Sequence, residues 1–243
     1  MNNRKLPIFI NIPYRLVESN IDRVAGLGVG VEIYAENNFL DELNMGNVKE
    51  LGKKLRDYGI LCTAHAPFMD LNPGGYDRRI RELSKDKIKK AVEMAHRLNA
   101  INIVCHPGYN KWFYDGNEQL WLDNSVGTWS EILAEAKGGP FVLLENIFEE
   151  TPSTLIALYN YFKGKDLFFC FDSGHFNLFS KVPIDAWLIP LKTRIREMHL
   201  HDNHGKSDEH LPIGMGTFPF RELRGFIKQL SGIVYTSEFH SEA

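Results

Sequence analysis

The sequence predicts an α/β fold, a single (β/α)8 barrel, and three observations carry the prediction. Eight short runs rich in Val, Ile, Leu and Phe recur along the 243 residues, helical patterns separate them, and six runs end on His, Glu or Asp. The runs are continuously apolar rather than alternating, as expected of parallel strands covered on both faces. Strand–helix alternation calls for right-handed crossovers, and eight such units suggest a closed barrel.

Taken in order, the first strand is read at residues 7–12, a helix-like segment at 17–27 and the second strand at 29–34. Gly26, Gly28 and Gly30 come before a strand rather than after one, so they read as a helix stop and turn, not a phosphate loop. A helix at 48–58, closed by Gly59, leads to a third strand at 60–64 that ends at His65. A loop follows, then a helix at 78–98 whose Ile80, Leu83, Ile88, Ala91, Val92, Ala95 and Leu98 keep helical spacing. Its Lys and Arg residues are interleaved with Glu82, Asp86 and Glu93 and read as a solvated face; His96 reads as structural. The fourth strand, 101–105, ends at His106, and Trp112, Phe113, Tyr114 and Trp121 follow in a loop and early helix. The fifth strand, 141–144, ends at Glu145. Thr151 as cap and Pro152 in the first turn then open a helix. The sixth strand, 167–171, ends at Asp172 with His175 close behind. The seventh is 195–200, a helix follows at 218–230, and the eighth strand, 233–237, ends at Glu238.

No linker or second domain is visible, so residues 1–243 read as one barrel. The sequence stops five residues after Glu238, so the outer helix after the last strand is expected to be missing or shortened. The groove left behind would suit a partner subunit of a homo-oligomer. Net charge is −3, which gives no bulk basic signal for nucleic acid or an anionic membrane. Cys62, Cys105 and Cys170 are odd in number, lack C-x-x-C spacing and read as buried, reduced core thiols. No apolar run approaches the ~18 residues of a membrane span and no leader-like segment opens the chain, so a cytoplasmic protein is expected.

The chemistry concentrates in residues 198–216, which hold four of the nine histidines and three acids. A strand running into a loop loaded with imidazole and carboxylate offers ligands that Zn²⁺, Mn²⁺ or Fe²⁺ accept. His65, His106, Glu145, Asp172, His175, His199 and Glu238 all fall where a strand gives way to a loop, and in a barrel those positions converge on the C-terminal mouth. So many polar groups at one mouth are costly unless paired or bound to metal.

With those residues in hand, the chain resembles the xylose isomerase-like TIM-barrel superfamily, which holds sugar and sugar-phosphate isomerases and epimerases and abasic-site nucleases of the endonuclease IV type. The phrases that carry the resemblance are HAPFMDLNPG (65–74), HPGY (106–109), LLEN (143–146), FDSGH (171–175), MHLHDN (198–203), DEHLPIGMG (208–216) and SEF (237–239). In the epimerase branch the resemblance implies one divalent metal, Zn²⁺ or Mn²⁺, on Glu145, Asp172, His199 and Glu238, with His175 beside the substrate oxygens. Glu145 and Glu238 would then be base and acid in proton transfer next to a carbonyl, through an enediolate. In the nuclease branch it implies up to three Zn²⁺ on His65, His106, Glu145, Asp172, His175, His199, Asp208, His210 and Glu238, with Phe68 and Met69 where the nuclease inserts side chains into DNA.

The seventh-strand phrase, the chain length and the scarcity of Lys and Arg in the loops favour the sugar isomerase/epimerase reading, with a small sugar or sugar phosphate as partner. Nucleic acid enters only under the alternative. Lys206 is the cation nearest the seventh-strand motif, and the arginine that epimerases usually carry there is not evident. The backbone N–H groups around Gly214 and Gly216 are candidate phosphate donors. Asp202 is expected to orient a ligand histidine.

Overall fold

The computed structural model describes residues 7–239. Eight parallel strands close in chain order: β1 (Ile8–Pro13), β2 (Gly30–Tyr34), β3 (Cys62–His65), β4 (Asn102–Cys105), β5 (Phe141–Glu145), β6 (Leu167–Asp172), β7 (Ile195–Leu200) and β8 (Val234–Ser237), which pairs back with β1. Around them run α1 (Tyr14–Val17), a 3₁₀ turn (Glu18–Asn20), α2 (Ile21–Leu27), α3 (Asn37–Glu42), α4 (Met45–Asp57), α5 (Arg78–Leu98), α6 (Glu118–Glu135), α7 (Ser153–Tyr161), α8 (Ser173–Phe179), α9 (Ile184–Leu191) and α10 (Phe220–Ile227). The expected (β/α)8 barrel is what forms. The outer helix whose loss was expected after β8 would fall on residues 240–243, outside the described residues.

Each strand lies where an apolar run put it, and α5 spans the expected residues. Asp77 caps α5 by accepting from the Arg79 N–H at 2.7 Å, and Asn99 ends it at φ 59°. Elsewhere the helices depart from the sequence reading. The segment at 17–27 breaks into α1, the 3₁₀ turn and α2. The aromatic stretch before Trp121 leads into a long helix, α6, whose buried stripe mixes Trp121, Trp129 and Ile132 with Ser125 and Thr128. Those polar residues on the inner face blur its apolar period. Thr151 sits one residue too early to cap α7, although its Oγ1 accepts from the Ser153 N–H at 3.4 Å.

Between strands and helices the core is aromatic and aliphatic, with Trp121, Trp129 and Trp187 fully buried. All three cysteines are free and buried, as expected. Among the described residues no helix is long and apolar enough to cross a membrane. Inside the barrel, side chains stack in layers two residues apart along each strand. Val104, Leu143, Phe168 and Cys170 form an apolar cluster that spans two such layers. A polar layer joins Glu197 to Thr63, Asn102 and Thr236, and the strand ends lie two residues farther on.

Candidate metal centre

The period of two carries the same face of each strand from that polar layer to the mouth. Thr63 gives way to His65, Glu197 to His199 and Thr236 to Glu238. Glu145 and Asp172 end β5 and β6, and His106 follows β4 directly. Asp172 also caps α8, its Oδ1 accepting from the His175 N–H at 2.6 Å, which brings His175 over the mouth. Asp208 and His210 arrive on the loop after β7, His210 with φ 48°. A cavity of about 1110 Å³ opens above, lined by seven of the nine expected ligands. The other two, Asp172 and His199, are fully buried.

His199 is the centre of the arrangement. Its Nε2 lies 3.0 Å from Glu32 Oε2. Its Nδ1 lies 3.3 Å from Glu238 Oε1, 3.5 Å from Glu145 Oε1 and 3.9 Å from Asp172 Oδ2, yet it has no hydrogen-bond partner although fully buried. Ligand atoms held ~2.1 Å from a common ion are about 3.0–3.5 Å apart, so the Glu238 and Glu145 oxygens stand at coordination spacing from this nitrogen, and Asp172 at 3.9 Å lies a few tenths of an ångström beyond it. A carboxylate behind the far nitrogen fixes the ring and raises its basicity, as in many metal sites.

The flanks repeat the pattern. His65 Nδ1 donates to the Ala66 carbonyl at 2.8 Å and leaves Nε2 facing Glu145 Oε2 at 3.1 Å. His106 Nε2 approaches the same oxygen at 3.3 Å. On the other side His210 Nδ1 donates to the Glu238 carbonyl at 2.7 Å, with Nε2 3.0 Å from Asp208 Oδ2. His175 Nδ1 lies 3.1 Å from Glu145 Oε1 and 3.3 Å from Asp172 Oδ1 without hydrogen-bonding to either. Glu145 thus faces four histidines.

Charge follows the packing. Burial by itself would raise the Glu145 carboxyl, but His199, His106 and His175 hold it well below the usual carboxylate range. Glu238 is different: burial dominates, Glu32, Glu145 and Asp172 add to it, and its carboxyl is pushed up to about 7 against the pull of His199. His65 overcomes its burial through Glu145 and rises to about 9, whereas desolvation wins at His106 and takes it down to about 4.

The nine expected ligands therefore converge on one mouth, and Phe68, Met69 and Lys206 line the cavity above them. Phe68 stacks on His106 at 4.2 Å. Two expectations need correcting. Asp202 does not orient a ligand histidine. Its Oδ2 accepts from the N–H groups of Gly214 (3.1 Å) and Gly216 (2.9 Å), and its Oδ1 from those of Asn203 (2.9 Å) and Phe218 (3.0 Å). Gly214 and Gly216 are for the same reason not free to bind phosphate: a buried carboxylate already takes their donors and holds the loop closed.

Three residues escaped the sequence reading. Glu32 is a lone acid inside the apolar run of β2, and that inward acid was the available signal. Asn11 donates to Glu32 at 2.8 Å and to Glu238 at 3.2 Å, tying the two carboxylates together. His201, fully buried, lies 3.0 Å from Asp172 Oδ2 and stacks on His210 at 4.0 Å. Gly174 makes room for it: a Cβ there would come within 2.0 Å of the His201 ring. Four sets of donor atoms could each hold an ion: His65, His106 and Glu145; Glu145, Asp172 and His175; Glu32, His199 and Glu238; and His201, His210 and Glu238.

Comparison with known proteins agrees with this architecture. A family described as the xylose isomerase-like TIM barrel matches residues 21–242. A Methanocaldococcus jannaschii protein of uncharacterised function is 34% identical over 197 residues, covering 77% of this chain and 67% of its own. The crystal structure of a D-tagatose 3-epimerase-like protein superposes with TM-score 0.79 at 29% identity, over 96% of this chain and 91% of that one. A Thermus thermophilus protein soaked with ZnCl₂ superposes with TM-score 0.83 at 24% identity, over 97% and 93%, a likeness of fold alone.

Proposed function

The chain belongs to the xylose isomerase-like TIM-barrel family, and we propose that it is a divalent-metal-dependent sugar or sugar-phosphate isomerase or epimerase. The observation that carries the reading is the buried, unpartnered Nδ1 of His199 facing the carboxylates of Glu145, Asp172 and Glu238. Those four residues would hold the ion. Once bound it supplies Lewis-acid stabilisation of charge developing on substrate oxygens, worth several kcal/mol. The similarity to a D-tagatose 3-epimerase-like protein supports this branch of the family.

Glu145 and Glu238 enter the mouth from β5 and from the end of β8. One carboxylate takes the proton from the carbon beside the carbonyl, and the other returns it. Return to the opposite face of the same carbon epimerises the sugar; return to the neighbouring carbon isomerises it. Without metal, burial pushes the Glu238 carboxyl up to about 7, and a bound cation would pull it down. His175, between Glu145 and Asp208, is placed to polarise a substrate oxygen.

The convergence of all nine nuclease-type ligands favours a second reading, a zinc-dependent abasic-site phosphodiesterase with up to three ions. Metal content by mass spectrometry, with His106→Ala as control, separates the two. About one ion per chain, indifferent to His106, is expected. About three zinc ions that fall in the variant, with cleavage of abasic DNA, would overturn the isomerase reading in favour of the nuclease.

A further inference from the structure

The cavity is built in two parts, and only the floor is accounted for by proton transfer. At about 1110 Å³ it exceeds the roughly 300–1,000 Å³ typical of sites that enclose a drug-sized ligand, and is far more than one six-carbon sugar fills. Three phenylalanines from the segments that follow β4, β5 and β6 are among its lining residues. Phe113, from the loop after β4, is 79% exposed, and Phe148, after β5, is 43% exposed. Phe148 meets Phe179 of α8 edge to face, ring centres 5.1 Å apart. All three rings line the cavity.

Charge narrows what could lie against those rings. Outside the metal-facing residues, the charged groups lining the cavity are Glu36, Asp70 and Lys206. Glu36 is paired with Arg15 at 2.9 Å, and among the described residues the lining contains no arginine fork of the kind that grips phosphate. Lys206, a single flexible point charge, is the only Lys or Arg among the described lining residues, and the backbone N–H groups of Gly214 and Gly216 are already bound to Asp202. An uncharged ring with one apolar face suits the three phenylalanines, because such a face stacks on aromatic side chains and an anion does not.

We infer that the substrate is a neutral keto-sugar carrying a second uncharged ring through a glycosidic bond, its reacting unit on the carboxylate–histidine floor and its second ring on Phe113, Phe148 and Phe179. This rests on the isomerase/epimerase reading and selects, within it, a glycoside over a sugar phosphate.

Three ligands that share one ketose and differ only at O6 test it: D-fructose, D-fructose 6-phosphate and isomaltulose, which bears a glucosyl group there. Affinities are measured by ligand-detected NMR on the Zn²⁺-loaded protein. Isomaltulose is expected to bind about tenfold tighter than either of the others, and Phe113→Ala/Phe148→Ala to bring that preference to near unity. Both residues are exposed, so the double variant keeps its core, and equal metal content confirms that it has folded. Tighter binding of fructose 6-phosphate, no binding of isomaltulose, an unchanged preference in the variant, or competition by abasic DNA for the rim would each overturn the inference. Deuterium uptake from solvent next to the carbonyl reports on the reaction separately. Rim-dependent binding of isomaltulose with no uptake into any of the three ligands would leave the rim standing and remove the isomerase/epimerase reading.

Discussion

The barrel lumen holds two clusters built around carboxylates, Glu145 at the mouth and Glu197 beneath it, and their partners differ in kind. Glu197 accepts from Thr236 Oγ1 at 2.6 Å, Asn102 Nδ2 at 3.0 Å and Thr63 Oγ1 at 3.1 Å. All are neutral donors, and all are fully closed off from solvent. Glu145 faces His65, His106, His175 and His199, two of which keep a buried nitrogen without a hydrogen bond. Below, a buried acid is satisfied by the protein itself. Above, His175 and His199 each keep a buried Nδ1 unbonded among carboxylates, and a cavity opens onto the cluster. Burial of polar groups costs free energy in both places, but only the mouth leaves its donors for something else to use.

The sharpest way to break the comparison is to remove each central carboxylate in turn. Glu145→Ala is expected to lose bound metal and to lower turnover by a factor on the order of 10³ or more. Metal analysis and a sugar turnover assay check it, and an active, metal-free variant would sink the account of the mouth. Metal should in turn stabilise the parent protein. Zn²⁺ or Mn²⁺ at a thousand times its Kd is worth about 4 kcal/mol by mass action, visible as a rise in Tm that Glu145→Ala should not share.

Glu32 tests whether the mouth depends on the residue behind it. Glu32→Gln keeps shape but removes the charge that holds His199 Nε2, so metal affinity should fall about 10- to 100-fold, read by competition with a chelator. An affinity equal to the parent's would mean that the pair is structural only.

The lower cluster carries a pH signature with a definite sign. Burial, with Glu32 adding, pushes Glu197 up to about 7 from an ordinary value near 4.5. The folded state thus favours the protonated acid. Stability is greatest below about pH 4.5, falls as pH rises through the window to about 7, and levels off above it. Glu197→Gln stays neutral throughout. It should flatten that part of the Tm–pH curve and gain of order 1–2 kcal/mol relative to the parent at pH 8. Asn102 Oδ1 has no partner, and a flipped amide would let it accept from the new Gln. Metal binding should be unchanged, and its loss would show that the two layers are not independent.

The sequence by itself determined the barrel and the nine polar side chains at its mouth, and the reason is local. Apolar runs fix strands, and a strand's last inward residue lies at the mouth whatever the helices outside do. His65, Glu145 and Asp172 were legible for that reason. Helix bounds were less so, because α6 hides Ser125 and Thr128 on its inner face and α1–α2 breaks across a 3₁₀ turn. What only the tertiary structure decided is which polar group meets which. Glu32 and Glu197 are single acids in apolar strands, and nothing in VEIY or IREMHL tells that one backs His199 while the other closes on threonines from neighbouring strands. Asp202 reads as a companion of the histidines beside it, yet it spends its carboxylate on four backbone N–H groups. Those pairings depend on barrel closure and on the path of the loop after β7, contacts between residues far apart in the chain that no local pattern encodes.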